Sequence, residues 1–219
     1  MTCATEVVLK PKPHIKGIAI LCGGDSRRMG VDKALVDLDG CPILRRHIEE
    51  IRALNLKMPI YISSGERRYA ILDDFDVTYV DDVVRGGGPL AGLAGALLAA
   101  SEGGATGGHI FTMPVDTLVP PSILLASLEK EGLAASGVAL VKGERLHPVH
   151  GLFPISAAAS LKQFVESGGR AVMGFLESLE IHEARIDKDW EPCLNFNYPD
   201  DFIAAREALA KIAVLTSQR

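Results

Sequence analysis

Short apolar runs alternate with stretches of helical periodicity between residues 17 and 130. The run at 17–22 is apolar throughout and ends in glycines, which is typical of a parallel strand buried on both faces. This alternation predicts an α/β fold with three layers, in which a doubly wound, mostly parallel sheet carries helices on both faces. Further strands are predicted at 59–63, 77–80, 109–113, 138–141 and 181–186, and helices at 42–55, 89–100, 120–130, 157–167, 171–179 and from 199 onward.

The organisation of the chain favours a single domain. No linker, charge block or internal repeat interrupts residues 17–219, and residues 1–16, where Lys and Pro alternate, are expected to form an N-terminal tail. The segment 147–153 is predicted as one further strand that is free to run antiparallel to its neighbours. In a doubly wound fold, ligands bind beyond the carboxyl ends of the strands, so the loops that follow the strands are where a site is expected.

Composition narrows the class of protein. The chain has 219 residues and a net charge of −5, which does not favour a nucleic-acid-binding surface. No apolar run approaches the roughly 18 residues of a membrane span, and residues 1–13 lack the apolar core of a signal peptide. The four cysteines form no C-x-x-C pair, so neither a zinc knuckle nor a redox motif is indicated. We therefore expect a cytoplasmic protein with small-molecule ligands and with neither nucleic-acid nor membrane partners.

The loop after the first predicted strand has the composition of a phosphate-binding loop. It spans residues 21–33 and contains three glycines and three cations. Backbone N–H groups in such a loop can cradle phosphate oxygens while the cations neutralise their charge. The loop is neither a Walker loop nor a G-x-G-x-x-G fingerprint. The competing interpretation is a tight strand-to-helix turn with solvated arginines.

The same loop carries a resemblance to a known family. Residues 21–33 read LCGGDSRRMGVDK and resemble the L-x-G-G-x-S-x-R-M-G-x-D-K signature of nucleotidyltransferases with a GT-A-like fold. Within that group, the chain is most similar to the molybdenum cofactor guanylyltransferases of the MobA type. Further matching motifs follow in the same order: LDGCPIL at 38–44, GPLAGL at 88–93, MPVDT at 113–117, HP at 147–148 and NFNYPDD at 195–201.

The resemblance implies an Mg²⁺-dependent enzyme that transfers GMP from GTP to molybdopterin or the molybdenum cofactor and releases pyrophosphate. It also implies a partner that delivers the cofactor or a molybdoenzyme that receives it. Such chemistry consists mainly of positioning and charge neutralisation. The matching catalytic positions are Lys33, Asp116 and Arg27, with Asp116 as the metal ligand. The matching ligand-binding positions are Leu21, Cys22, Gly23, Gly24, Lys33, Ser63, Asp82, Asp116, Asn195 and Asn197.

Several of these positions have a structural alternative. Asp116 could instead cap the helix that follows it. Ser63 occupies a position that often carries Asn in the family, so a base edge would be met by Ser63, by Ser64 or by the backbone. Asp82 is the expected nucleotide contact after the third strand, and the adjacent Asp81 is the alternative.

The C-terminal motifs point to the acceptor. Asn195 and Asn197 alternate along an extended segment, so their side chains are expected on the same face. They either shape the site or form an Asx turn that caps the last helix. His147, together with Arg145 and Arg170, is expected to meet the phosphate of the pterin acceptor.

Three other functions stay open at this stage: cytidylyl transfer to the same cofactor, nucleotidyl transfer to a sugar phosphate, and nucleotide binding without catalysis. The replacement of the family's usual Cys-Pro-Cys by Met-Pro-Val at 113–115 motivates the last of these. The presence of Arg27, Lys33 and Asp116 together argues against it. The preferred nucleotide, the exact acceptor, the oligomeric state and the role of Cys22, as a packed or an oxidisable thiol, are left open.

Overall fold

A seven-stranded sheet forms the centre of the molecule, and a computed structural model describes it over residues 13–23, 29–130 and 132–217. The predicted site residues Gly24 and Arg27 lie outside the described residues. The strands are β1 Ile15–Leu21, β2 Asp37–Leu38, β3 Cys41–Pro42, β4 Ile60–Ser63, β5 Thr78–Val80, β6 His109–Pro114, β7 Val138–Lys142, β8 Leu146–Pro154 and β9 Ile181–Arg185. The α-helices are α1 Ile43–Ala53, α2 Pro89–Glu102, α3 Pro121–Leu128, α4 Ala158–Glu166, α5 Val172–Leu176 and α6 Pro199–Ser217.

The strands of the main sheet lie in the order β5-β4-β1-β6-β8-β7-β9. Strands β5, β4, β1 and β6 pair in parallel with one another, and β9 is parallel to β7. Strand β8 is antiparallel to both of its neighbours, β6 and β7. The prediction of a doubly wound, mostly parallel sheet with one antiparallel strand is confirmed.

Helices cover both faces of the sheet, and β1 shows why. Ile18 and Ile20 pack into one hydrophobic cluster, whereas Ala19 packs into the other, because successive side chains of a strand point to opposite faces. Helices α1, α3 and α6 contribute to the first cluster, and α2, α4 and α5 contribute to the second. A strand that is buried on both faces must be apolar throughout, which is the pattern from which β1 was predicted.

Helix α1 ends earlier than its periodicity predicts. Leu44, Ile48 and Ile51 are buried on one face, as expected. The predicted end at residue 55 is wrong, because the helix ends at Ala53 and Asn55 is exposed with a φ of 55°. Asn tolerates the left-handed conformation that commonly follows a helix, so Asn55 belongs to the helix stop.

A short hairpin that was not predicted lies between the first loop and α1. Strands β2 and β3 pair antiparallel around Asp39 and Gly40, which have φ values of 55° and 88°. Positive φ at both central residues is the requirement of the tightest hairpin turn, and Asp-Gly is among the dipeptides that meet it. The dipeptide was therefore a readable signal for this hairpin.

A bulge interrupts β8 near the carboxyl end of β6. Leu140 pairs with Gly151, but the next residue of β7, Val141, pairs with His147, so residues 148–150 stand outside the β7 ladder. Pro148 has no N–H to donate, which is why proline is tolerated at such positions. The hydroxyl of Thr112 donates to the carbonyl oxygen of Val149 at 2.9 Å and ties the bulge to β6.

Strand β1 begins at Ile15, so it includes two residues of the segment predicted as an N-terminal tail. Within the described parts of the chain, no helix combines the length and the apolar character needed to cross a bilayer.

Candidate active site

The candidate site begins where β1 ends, at the carboxyl edge of the sheet. The N–H of Cys22 donates to the carbonyl oxygen of Ser63 at 2.7 Å, and the N–H of Val115 donates to that of Leu21 at 3.0 Å. These bonds hold the end of β1 between β4 and β6. Gly23 comes next, and a Cβ added there would meet no atom of the described residues within 4 Å. The backbone at Gly23 is therefore open to the approach of a ligand.

Helix α2 points its N-terminus at the same edge. It begins at Pro89 after Gly88, whose φ is 70°, a conformation that favours glycine. The helix packs closely beneath the cleft, because a Cβ at Gly92 would overlap the hydroxyl of Ser63 and a Cβ at Gly95 would overlap the carbonyl oxygen of Asp81. The free N–H groups and the positive dipole end of such a helix favour anionic ligands.

Three polar side chains from distant parts of the chain meet at this edge. The ammonium of Lys33 donates to Asp116 Oδ2 at 2.7 Å and to Asn197 Oδ1 at 2.9 Å. The Lys33 and Asp116 side chains are only 15% and 19% exposed, so their charges are partly shielded from water. These three predicted site residues are thus brought into direct contact.

A network around Asp32 positions Lys33. Asp32 Oδ1 accepts from the N–H of Ala34 at 3.1 Å and so caps the 3-10 helix Lys33–Leu35. Its other oxygen accepts from Arg67 at 3.0 Å and from the hydroxyl of Tyr69 at 3.1 Å. No role was predicted for Asp32, Arg67 or Tyr69, although an aspartate immediately before the lysine is a readable capping signal.

The two C-terminal asparagines have different partners. Asn197 bonds to Lys33, whereas Asn195 Oδ1 accepts from Arg145 Nη2 at 3.0 Å. Phe196 between them is fully buried, which is consistent with alternation along an extended segment. Asp201, at the start of α6, accepts from the N–H groups of Asn197 at 2.9 Å and Tyr198 at 3.0 Å and so ties the segment before the helix to its first turn.

Two cavities flank the end of β1, and both include Cys22 and Gly23 in their walls. The larger cavity has a volume of about 730 Å³ and the smaller one about 580 Å³. Leu21, Lys33, Asp116, Asn195 and Asn197 line the larger cavity, together with Arg145, His147 and His150. Ser64, Arg67, Asp81, Asp82, Arg85 and Gly86 contribute to the smaller cavity.

Asp81 and Asp82 both line the smaller cavity, but Asp82 is held by a buried hydroxyl, whereas Asp81 forms an exposed ion pair with Arg68 at 4.0 Å. Ser63 is buried and donates its hydroxyl to Asp82 Oδ1 at 3.0 Å. Burial raises the pKa of Asp82, the Ser63 hydroxyl lowers it, and the charge of Asp81 raises it. The side chain of Asp81 is 93% exposed. Ser63 therefore supports the wall from below, and Ser64 is the serine that lines the cavity.

Comparison with known proteins assigns this arrangement to a family. The sequence profile described as "MobA-like NTP transferase domain" matches residues 18–182. The chain belongs to the MobA-like NTP transferase family. It is accordingly a nucleotidyltransferase, as the resemblance of its first loop implied.

Relatives of this MobA-like NTP transferase extend the match over most of the chain. It is 34% identical, over 88% of its length and 94% of the relative's, to the molybdenum cofactor guanylyltransferase of Acidiphilium cryptum. It is 31% identical, over 90% and 94% of the two lengths, to the protein of the same name from Rhizobium johnstonii. The crystal structure of molybdopterin-guanine dinucleotide biosynthesis protein A from Archaeoglobus fulgidus shares its fold, with a TM-score of 0.69 at 22% identity, covering 89% of this chain and 99% of that one.

Two further expectations for this MobA-like NTP transferase concern Arg170 and the thiol of Cys22. Arg170 does not join His147 and Arg145, because its guanidinium donates to the carbonyl oxygens of Val165 and Gly169 at the end of α4. The Cys22 thiol is buried, and burial raises its pKa, as do the nearby carboxylates of Asp32 and Asp116. The thiol is therefore protonated and packed, which favours the inert role over oxidation.

Proposed function

We propose that this MobA-like NTP transferase transfers the GMP moiety of GTP to the phosphate of molybdopterin or of its molybdenum form. The observation that carries the proposal is the contact of Lys33 with Asp116 and Asn197 beside a loop shared by two cavities. A cation and a carboxylate at the junction of two binding spaces suit a reaction that joins two molecules through phosphate. The names of the relatives supply the nucleotide and the acceptor.

The nucleotide is proposed to lie across the end of β1. Its base would enter the smaller cavity, where Ser64 and Asp82 offer a hydroxyl and a carboxylate. Its phosphates would pass over Cys22 and Gly23 towards Lys33 in the larger cavity, and the loop residues Gly24 and Arg27 would add backbone and charge. The acceptor would fill the remaining length of the larger cavity beside Asn195.

The chemistry is an in-line displacement at the α-phosphorus. A phosphate oxygen of the acceptor forms the new bond to that phosphorus, the bond from the α-phosphorus to the bridging oxygen breaks, and pyrophosphate leaves with the electron pair. The Lys33 ammonium stabilises the charge that develops on the phosphate oxygens, because its position is already set by Asp116 and Asn197. The chain thus contributes positioning and charge.

The residues present fit a magnesium ion that arrives with the nucleotide. Asp116 offers a carboxylate and Asn197 an amide oxygen, both of the hard type that Mg²⁺ prefers, and Mg²⁺ commonly uses one or two carboxylates plus substrate phosphates. Within the described residues, no group of three or more His, Cys, Asp or Glu side chains is placed to hold a metal ion by itself. When bound, the ion would supply charge neutralisation at the phosphates.

Cytidylyl transfer to the same acceptor is the second candidate. The observation that favours it is the engagement of Ser63 with Asp82, which leaves Ser64 and the backbone to meet the base where the family often has Asn. Either function needs a nucleoside triphosphate and a protein that supplies or receives the cofactor. We expect both in the cytoplasm.

The test is a side-by-side assay of GTP, CTP, UTP and ATP. Each nucleotide is titrated with Mg²⁺ by calorimetry and then incubated with purified molybdopterin, while pyrophosphate release and dinucleotide mass are recorded. We expect GTP to bind most tightly and to yield the guanine dinucleotide. Tenfold tighter binding of CTP, about 1.4 kcal/mol, would overturn guanylyl transfer in favour of cytidylyl transfer. Nucleotide binding with no product from any nucleotide would indicate a non-catalytic module.

A further inference from the structure

Two histidines of β8 form part of the wall of the larger cavity. The rings of His147 and His150 meet edge to face, with centroids 5.3 Å apart and planes at 86°. Both line the cavity that also contains Lys33 and Asp116. His147 matches a family motif, but nothing in the sequence analysis pointed to His150.

The bulge in β8 explains how both rings reach one cavity. In a regular strand, successive side chains alternate between faces, so residues three positions apart point to opposite sides. In β8 the ladder with β7 passes from Gly151 directly to His147, and residues 148–150 stand outside it. Bulges next to active sites are known to re-aim side chains in this way. The bulge therefore brings His150 to the same wall as His147.

His150 stands apart from the other buried histidines because neither of its nitrogens forms a well-aligned hydrogen bond with a described residue. His150 is 2% exposed, and neither ring nitrogen forms a hydrogen bond of acceptable length and angle with any described residue, although the backbone of Leu194 lies near the ring. By contrast, one ring nitrogen of His47 lies 3.2 Å from the carbonyl oxygen of Val115, and one of His109 lies 3.1 Å from that of Gly137. A buried polar group that is left unpaired destabilises the folded state, so such a group in a cavity wall points to a ligand.

The electrostatics of His150 limit the ligand groups that can pair with it. Burial is the main cause that lowers the pKa of His150 to about 3; the neighbouring His147 and His47 act in the same direction, and the backbone of Leu194 partly offsets them. The ring is therefore neutral and offers one donor and one acceptor. Pro148 and Val149 give this part of the wall an apolar surface, while Lys33 and Arg145 supply the positive charge of the cavity. A flat uncharged ring with hydrogen-bonding edges suits the apolar wall beside His150, and a phosphate suits the part of the cavity near Lys33 and Arg145.

We infer that His150 hydrogen-bonds the uncharged heteroaromatic ring of the acceptor and thereby determines which acceptor the enzyme uses. The inference rests on the proposed function, because it places the acceptor in the larger cavity. It adds a specificity-determining residue that acts on acceptor binding and leaves nucleotide binding in the smaller cavity unchanged.

The experiment compares His150→Phe, which keeps an aromatic ring without its nitrogens, with His150→Gln, which keeps a donor and an acceptor. His109→Phe is the matched control, since His109 is equally buried but lies at the opposite end of β6. For each purified variant we measure the melting temperature, the Kd of GTP, the KM of molybdopterin, and the Kd of 6-hydroxymethylpterin from quenching of its fluorescence.

We expect His150→Phe to raise the molybdopterin KM and the pterin Kd at least tenfold, with the Kd of GTP within twofold of the unaltered protein. His150→Gln should remain within threefold on all measures, and His109→Phe should change the melting temperature without changing the pterin Kd. An unchanged KM and pterin Kd for folded His150→Phe overturns the inference. Equal loss of pterin binding in all three variants, in step with their melting temperatures, also overturns it.

The pterin titration separates this inference from the proposed function. If the unaltered protein forms no dinucleotide but binds the pterin in a way that His150→Phe abolishes, the proposed function fails and the role of His150 stands. If the unaltered protein forms the dinucleotide and His150→Phe matches it in KM and in pterin Kd, the role of His150 fails and the proposed function stands.

Discussion

The two cavities differ in how their walls are assembled. The smaller cavity is built from residues 22–86, in loops that follow the adjacent parallel strands β1, β4 and β5. The larger cavity combines residues from Leu21 to Asn197 and includes the antiparallel strand β8 with its bulge. Parallel strands place the loops that follow them side by side. The wall of the smaller cavity therefore comes from nearby parts of the sequence, whereas the wall of the larger cavity depends on packing between distant segments.

The largest effect is expected from removing the carboxylate of the charged cluster in the larger cavity. Asp116→Ala leaves the Lys33 ammonium without its carboxylate partner and removes the proposed metal ligand. We expect turnover to fall at least a hundredfold, about 2.7 kcal/mol, in an assay of pyrophosphate release. Lys142→Ala, which removes a lysine paired with Glu183 at 3.5 Å outside both cavities, serves as the control. A loss of less than fivefold for a folded Asp116→Ala variant would contradict the assignment.

The second effect concerns the histidine beneath the larger cavity. Burial lowers the pKa of His47 to about 4, while its ring stays hydrogen-bonded to Val115. Between pH 6.5 and 4 the unfolded chain binds a proton at this position and the folded protein does not, so stability falls as the pH falls. For His47 alone, we expect the free energy of unfolding to drop by about 2 kcal/mol from pH 7 to pH 5.

Urea unfolding at the two pH values measures this effect. His47→Gln should show a smaller difference between pH 7 and pH 5 than the unaltered protein. His14→Gln, at an exposed histidine before β1, should retain the full difference. Equal pH dependence in all three proteins would show that His47 does not control acid stability.

The smallest expected effect concerns the carboxylate proposed to contact the nucleotide in the smaller cavity. Asp82 is fixed by Ser63 and faces the cavity, whereas the neighbouring Asp81 side chain is almost wholly exposed. We expect Asp82→Ala to raise the Kd of GTP about tenfold, or 1.4 kcal/mol, and Asp81→Ala to change it less than twofold. Calorimetric titration of both variants decides which carboxylate contacts the nucleotide, and the reverse order would assign the contact to Asp81.

Much of the larger cavity's charged cluster was predictable from local motifs. Lys33 and Asp116 stand in motifs directly after predicted strands, and the carboxyl ends of parallel strands meet at one edge. Their direct contact, and that of Asn197 with Lys33, were not predictable, because these residues are 83 and 164 positions apart. These contacts depend on how the segment before α6 packs against the residues that follow β6, where the N–H of Phe196 donates to the carbonyl oxygen of Asp116 at 3.0 Å.

Ser63 is a residue whose position was predicted correctly but whose hydrogen-bond partner was not. Its position at the end of β4 was predicted correctly, but its hydroxyl points to Asp82 and lies under the smaller cavity. Whether a strand-end serine faces a ligand or a neighbouring side chain depends on the close packing of α2 at Gly92. No local pattern carries that information.

The sequence by itself determined the alternation of strands and helices, the edge of the sheet that carries the site and the residue types in its first loop. These follow from burial periodicity, from proline and glycine at helix starts and from motif spacing, all of which are local. Only the tertiary structure decided that Lys33, Asp116 and Asn197 touch, that Asp82 is held by Ser63, and that a bulge turns His150 into the larger cavity. Those outcomes depend on strand register and on packing between distant segments, which the order of residues along the chain does not reveal.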